Sequence, residues 1–306
     1  MIKIGIIGMS EGNAHPYSWS AIINGVADGA EIARVGYPAV ADYLAANRAT
    51  LGIPGAKVTH VWAQDTAIAE SIARATGIDH VAGSLEEMAG HTDAVILARD
   101  DPEHHRAMAV PFLEAGVPLF IDKPLAISRE DLAWFAGHAA EGKFIMSCSS
   151  MRYASEVMSA KAQLGALGPL QLVTATGKKD WVKYGVHMLE AVFSLLGDPQ
   201  PLTVRHTGRQ GKDVVTVEFA NGVIAVIHLF MDISPTFQLS VFGERNWRLV
   251  DITNSYAMFR DNIIEFVRSV QEGRPRLEFG TTAAIIGTLI AAKESREQGG
   301  ITIHIH

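Results

Sequence analysis

The chain has 306 residues, 48% hydrophobic and 19% charged, with 33 acidic residues against 26 basic ones and a net charge of −7. Such a chain can bury about 75% of its unfolded surface and divides naturally into about two domains, which excludes a disordered, collagenous or coiled-coil protein. No run of Lys or Arg breaks the acidic background, so nucleic acid is not an expected partner. The single Cys148 excludes an internal disulfide or a cysteine metal cluster and fits a reducing, cytoplasmic setting. The apolar stretch Ala283 to Ala292 is too short to span a bilayer, so no membrane partner is expected. Ile4 to Met9 runs straight into Ser10, Glu11 and Gly12 without the small-residue site of a signal peptide.

In chain order, IKIGII at 2–7 predicts a first strand, followed by VTHVWA at 58–63, DAVILA at 93–98, PLFID at 118–122 and FIMSCS at 144–149. These are unbroken apolar runs, as a sheet covered on both faces requires. Helices are predicted over 66–77 and 102–116, each ending in Gly, and from Ser128 to about Ala140. Strands alternating with helices predict an α/β, Rossmann-type doubly wound parallel sheet. Residues 34–57 carry two prolines and three glycines and read as an insertion over the sheet edge.

The second half changes period. VVTVEF at 214–219 and VIAVIHLFM at 223–231 flank Ala220, Asn221 and Gly222, a strong hairpin signal. QLSVFG and NWRLVDI form a second pair around Glu244 and Arg245, with helices predicted near 181–196, 255–272 and 281–297. The expected division is a dinucleotide-binding Rossmann domain at 1–124 and an α+β substrate-binding and oligomerisation domain at 125–306. The second domain would carry an open, mainly antiparallel sheet.

Two places carry candidate chemistry. The turn Gly8, Met9, Ser10, Glu11, Gly12, Asn13 follows the first strand, where glycines let pyrophosphate approach backbone amides at a helix N-terminus. Its middle glycine is replaced by Ser10, so the fingerprint is incomplete, and a plain tight turn is the alternative. Asp122, Lys123 and Pro124 end a predicted strand, where ligands of open sheets bind. His15, Pro16, Tyr17 and Trp19 read as core residues opening a helix, with His15 a candidate ligand contact. His104 and His105 diverge on their helix, and the tail ITIHIH reads as an edge strand, so no zinc ligand set is expected.

AGVPLFIDKPLAIS resembles the stretch bearing the Glu-Lys-Pro signature of the Gfo/Idh/MocA oxidoreductases, with Asp122 in place of Glu. LARDDPEHHRAMAVPFLEAG resembles the family's fourth strand and following helix, and MRYASE its Arg-aromatic segment. YGVHMLEAVFSLLGDP is similar to the helix that carries the family histidine.

The resemblance implies NAD or NADP as cofactor, hydride transfer to or from a hydroxyl carbon of a sugar, polyol or related compound, and a homodimer or homotetramer built on the open sheet. Gly8, Ser10, Glu11, Gly12, Asn13, Gln64, Asp65, Arg99 and Asp122 would meet the cofactor. Lys123 would bond the reacting oxygen and His187 would exchange the proton, the two converging from different domains. Arg152 and Lys179 would join them around the substrate. The family's Asp four residues before the histidine is Lys183 here, on the same helix face, and Asp180 could take over part of its role. A cation beside His187 would favour its neutral form and attract an anionic substrate. Ala63 and Gln64 stand where the family usually has an acidic residue for the ribose, which loosens any preference for NAD over NADP. The alternative is a non-catalytic nucleotide- or sugar-sensing protein that keeps the fold.

Overall fold

The structure is a computed structural model in which residues 1–305 are described. It divides into two compact units. One holds residues 1–126, 133–147 and 262–279, the other 127–132, 148–261 and 280–306. The chain therefore crosses between units more than once, beyond the single boundary expected at 124.

The first unit opens with β1 (Ile2–Gly8), α1 (His15–Asn24), α2 (Gly29–Arg34), α3 (Pro38–Ala46), β2 (Ala56–Ala63) and α4 (Thr66–Thr76). It continues with β3 (His80–Val81), α5 (Leu85–His91), β4 (Ala94–Leu97), α6 (His105–Ala115), β5 (Leu119–Ile121), α7 (Arg129–Ala140) and β6 (Ile145–Ser147). Its six strands are parallel and ordered β3-β2-β1-β4-β5-β6. The order in which strands are added reverses between β1 and β4, and at such a switch point a crevice opens beyond the carboxyl ends of the strands. β1 is held rigidly because Ile4, Ile6 and Ile7 have no exposed surface, each contributing about 1.5–3 kcal/mol of burial. The insertion holds the helix α3, which packs on the preceding α2, and the chain returns to the sheet at Ala56, two residues before the expected strand.

The second unit contains α8 (Ser155–Lys161), β7 (Leu170–Lys178), α9 (Trp181–Leu196), β8 (Pro201–His206), β9 (Lys212–Phe219), β10 (Ile224–Phe230), β11 (Phe237–Gly243) and β12 (Trp247–Asp251). α10 (Ser255–Glu272) runs through residues of both units, and α11 (Phe279–Glu297) and β13 (Ile303–His304) complete the chain. The seven-stranded sheet is ordered β12-β11-β7-β10-β9-β8-β13 and is antiparallel except for the β7–β10 pair. The Asn221-Gly222 turn joins β9 to β10 as its sequence requires. One face is buried through Val173, Ala175, Val215, Val217, Ala225, Ile227, Leu239 and Val241. β13 lies at the sheet edge, paired with β8; the last residue of the ITIHIH tail falls outside the described residues.

β3, α5, β7 and β8 were not expected from sequence. The inward side of β7 is Val173, Ala175 and Gly177, small because a Cβ on Gly177 would lie 2.8 Å from Leu229 Cδ2. Close packing from β10 thus hides the apolar signal by which a strand is recognised.

Candidate functional site

At the end of β1, a Cβ on Gly8 would lie 2.8 Å from Pro16 Cγ, so only glycine lets α1 approach the strand so closely. Gly12 has φ +76°, a left-handed conformation that glycine adopts without strain. Ser10 is compatible with the turn because its side chain spans the switch point. Its Oγ donates to Asp100 Oδ1 at 2.5 Å and accepts the Asp100 amide at 3.1 Å. Asn13 then reaches Asp122 Oδ2 at 3.1 Å, fastening the turn to the end of β5. Glu11 is exposed at the tip of the turn.

Gln64, just past β2, brackets Met9: its Nε2 donates to the Met9 carbonyl at 2.7 Å and its Oε1 accepts the Met9 amide at 3.1 Å. Arg99 donates to the same Oε1 at 2.7 Å and forms a bidentate pair with Asp101 at 2.9 and 2.5 Å. Asp65 accepts the Ala67 amide at 2.9 Å as the cap of α4, so its carboxylate is engaged in holding the helix.

Lys123 is 8% exposed, with Nζ 3.6 Å from Asp100 Oδ2, and its peptide bond to Pro124 is cis. Asp122 is buried. Its Oδ1 accepts the Lys123 amide at 2.7 Å, and its Oδ2 lies 2.5 Å from His15 Nδ1. Burial pushes the Asp122 carboxyl up, but the charges of His15 and Lys123 and the hydrogen bonds outweigh it and hold the group well below the usual carboxylate range. The His15 ring stacks on Trp19 at 4.3 Å. The ends of β1, β2, β4 and β5 therefore bring Gly8, Ser10, Asn13, Gln64, Arg99, Asp122 and Lys123 into one connected network.

This half fits a nicotinamide dinucleotide. The turn stands at a helix N-terminus whose Ala14 offers no side-chain cap, and at Gly12 nothing lies within 4 Å of where a Cβ would be, which leaves the backbone open to close approach as a pyrophosphate site requires. Among the described residues one group could meet a metal ion, Asp101, Glu103 and His104, with ligand atoms within 4.8 Å of one another. Arg99 already engages both Asp101 oxygens.

In the second unit, Asp180 caps α9 by accepting the Lys183 amide at 3.1 Å, which fixes where the helix begins. A Cβ on Gly185 would lie 2.8 Å from Leu289 Cδ1, so glycine admits α11 against α9, and Trp181 Nε1 donates to the Leu289 carbonyl at 3.0 Å. His187 is half-buried, its Nδ1 2.6 Å from Ser149 Oγ and its ring 4.9 Å from that of Tyr184. Lys179, at φ +88°, donates from Nζ to the Tyr184 hydroxyl at 2.6 Å. Lys183 is exposed.

Arg152 takes a different place from the substrate contact expected of it. It is 5% exposed and donates to Glu190 at 2.7 Å and to Asp198 at 3.0 and 2.8 Å. Burial alone would lower this guanidinium, but the two carboxylates outweigh it and keep it charged. Burial pushes the Glu190 carboxyl up against the pull of Arg152. Sequence reasoning missed Ser149 and Asp100, the partners of His187 and Lys123. Both pairings join distant segments and leave no local signal.

Residues 2–148 match the model of the oxidoreductase family with an NAD-binding Rossmann fold, Gfo/Idh/MocA, and through this half the chain belongs to that family. No curated protein matches its sequence. Among solved structures it is similar to the myo-inositol dehydrogenase of Lactobacillus casei in complex with NAD(H) and myo-inositol, with 16% identity, TM-score 0.78, and coverage of 100% of this chain and 97% of that one. It is also similar to the myo-inositol 2-dehydrogenase of Lactobacillus plantarum, at 15% identity and TM-score 0.77, covering 100% and 99%. The scyllo-inositol dehydrogenase of Lactobacillus casei with bound NAD(H) and scyllo-inositol gives 14%, 0.74, and 99% of both chains. At these identities the likeness establishes the fold. No helix among the described residues is long and apolar enough to cross a membrane.

Proposed function

We propose that the chain is an NAD-dependent dehydrogenase acting on a CH–OH carbon of a neutral polyol or sugar. The observation that carries the reading is Lys123: a nearly buried cation at the carboxyl end of β5, connected through Asp122 and Asn13 to the glycine turn. NAD, when bound, supplies the acceptor for a hydride. Lys123 donates a hydrogen bond to the substrate oxygen and stabilises it as its proton leaves, and His187 takes that proton. In the reverse direction His187 returns the proton to the carbonyl oxygen.

The charges support a neutral substrate over the anionic one considered from sequence. Arg152 is committed to Glu190 and Asp198, Lys179 to Tyr184, and Lys183 is exposed. The neighbours crystallised with inositols point to the same substrate class. Because Gln64 puts no carboxylate beside the ribose, NADP is also expected to bind. The outward side of the second sheet, with Trp247, Leu249, Ile224 and Leu202 exposed, supports pairing with a second copy in a homodimer or homotetramer.

Turnover of a panel of neutral and acidic sugars and polyols tests the reading. Neutral compounds should dominate, Lys183→Met should leave that order unchanged, and Lys123→Met should abolish turnover. A strict preference for acidic compounds that disappears in Lys183→Met would overturn the substrate assignment.

A further inference from the structure

Ser149 has no exposed surface, so its hydroxyl proton needs a protein acceptor. Its Oγ already accepts the Met151 amide at 3.2 Å, and across from it, at 2.6 Å, stands His187 Nδ1. The arrangement is satisfied when the hydroxyl donates to Nδ1, which places the proton of the neutral imidazole on Nε2. Ser149 is itself fixed from behind: its amide donates to Glu190 Oε1 at 3.1 Å, while Glu190 Oε2 accepts from Arg152 Nε at 2.7 Å. This gives the buried Arg152 and Glu190 a use that their distance from solvent would otherwise hide.

We propose that Ser149 is a positioning residue for His187, holding the ring in one orientation and selecting the Nε2–H tautomer at rest. The proposal rests on the dehydrogenase reading only in what the oriented ring is for. A carboxylate in this position could only accept, and would lock the proton on Nδ1. A hydroxyl both donates and accepts, so the same contact survives when His187 is protonated and its Nδ1–H turns to Ser149 Oγ. The doubly protonated ring thus gives its Nε2 proton to the substrate oxygen and takes it back without turning, Nδ1–H staying on Ser149 Oγ throughout. Other groups around the imidazole are Tyr184 and Phe237 by ring contact, Lys179 beyond Tyr184, Lys183 a turn earlier on α9, and Arg152 and Glu190 behind Ser149.

The test compares wild type with Ser149→Ala and Ser149→Thr, with circular dichroism to verify folding. In the protein labelled at histidine nitrogen, without cofactor, His187 of the wild type should give the signature of an Nε2-protonated ring. Ser149→Ala should give averaged tautomers, and Ser149→Thr should restore the wild-type signature. Turnover should follow, with kcat falling on the order of 10- to 100-fold in Ser149→Ala, KM changing little, and Thr rescuing. Identical His187 nitrogen shifts in wild type and Ser149→Ala would overturn the proposal. If Ser149→Ala fails to fold, an Nδ1-protonated signature in wild type or in Ser149→Thr would overturn it equally. An absence of turnover in wild type would sink the dehydrogenase reading while leaving the nitrogen measurement decisive for the pair.

Discussion

Replacing Arg152 with Met removes the one cation that, among the described residues, pairs with Glu190, whose side chain is 2% exposed, while Asp198 retains 30% of its surface and stays solvated. Stranding one buried charge in this way costs about 3–5 kcal/mol. At roughly 2–4 °C per kcal/mol for a body of this size, Tm should fall by roughly 6–20 °C near neutral pH. The loss should depend on pH. Burial already holds the Glu190 carboxyl above its ordinary value, and losing Arg152 raises it further. A group raised in the folded state favours folding below its unfolded value and loses that contribution as pH rises through the folded one, so the deficit should shrink toward the ordinary glutamate range and be largest above it. The double variant Arg152→Met, Glu190→Met should recover most of the loss, since no buried charge remains. Calorimetric unfolding of the three proteins across pH checks this. A fall of less than about 2 °C, or a double variant worse than the single one, would refute the account of the buried pair.

Gly8→Ala forces a methyl to within 2.8 Å of Pro16 and should cost about 1–3 kcal/mol in unfolding while weakening NAD binding, both measurable on one preparation by denaturant titration and calorimetry. Glu31, paired with Arg34 and Ser71, is held at about 2. Its lowered value contributes stability above the unfolded 4.5 that is lost as pH falls toward 2, so Glu31→Gln should lower Tm most near pH 7 and least near pH 2, flattening the acid limb of the profile in that window. A profile parallel to that of wild type would remove Glu31 from the acid response.

Much of the frame was legible because caps and stops are local. Asp180 and Gly197 bracket α9 at the expected boundaries, and β1, β4 and β5 are the apolar runs that a two-sided sheet demands. α5 did carry a signal, Ser84 capping and Glu86 and Glu87 in the first turn, though its seven residues are too few for periodicity to stand out. What sequence could not supply was the use of each side chain. Arg152 looked like a ligand-seeking cation, and only tertiary packing shows it answered by Glu190 and Asp198. Gln64 looked like a lost ribose contact, and the fold employs it to hold Met9. Lys123 was readable because a strand end in an open parallel sheet has one use, whereas its partner Asp100 was hidden by a long separation in sequence.

In the proposed reaction a hydride passes between a CH–OH carbon and the nicotinamide. This transfer is tested most directly with polyols deuterated at the hydroxyl-bearing carbons, incubated with the protein and NAD⁺, followed by mass spectrometry of the nicotinamide. Each reduced nicotinamide should carry one deuteron, and none should appear when Lys123→Met replaces the wild type. Saturable NAD binding with no deuterium transfer from any neutral polyol or sugar would contradict it.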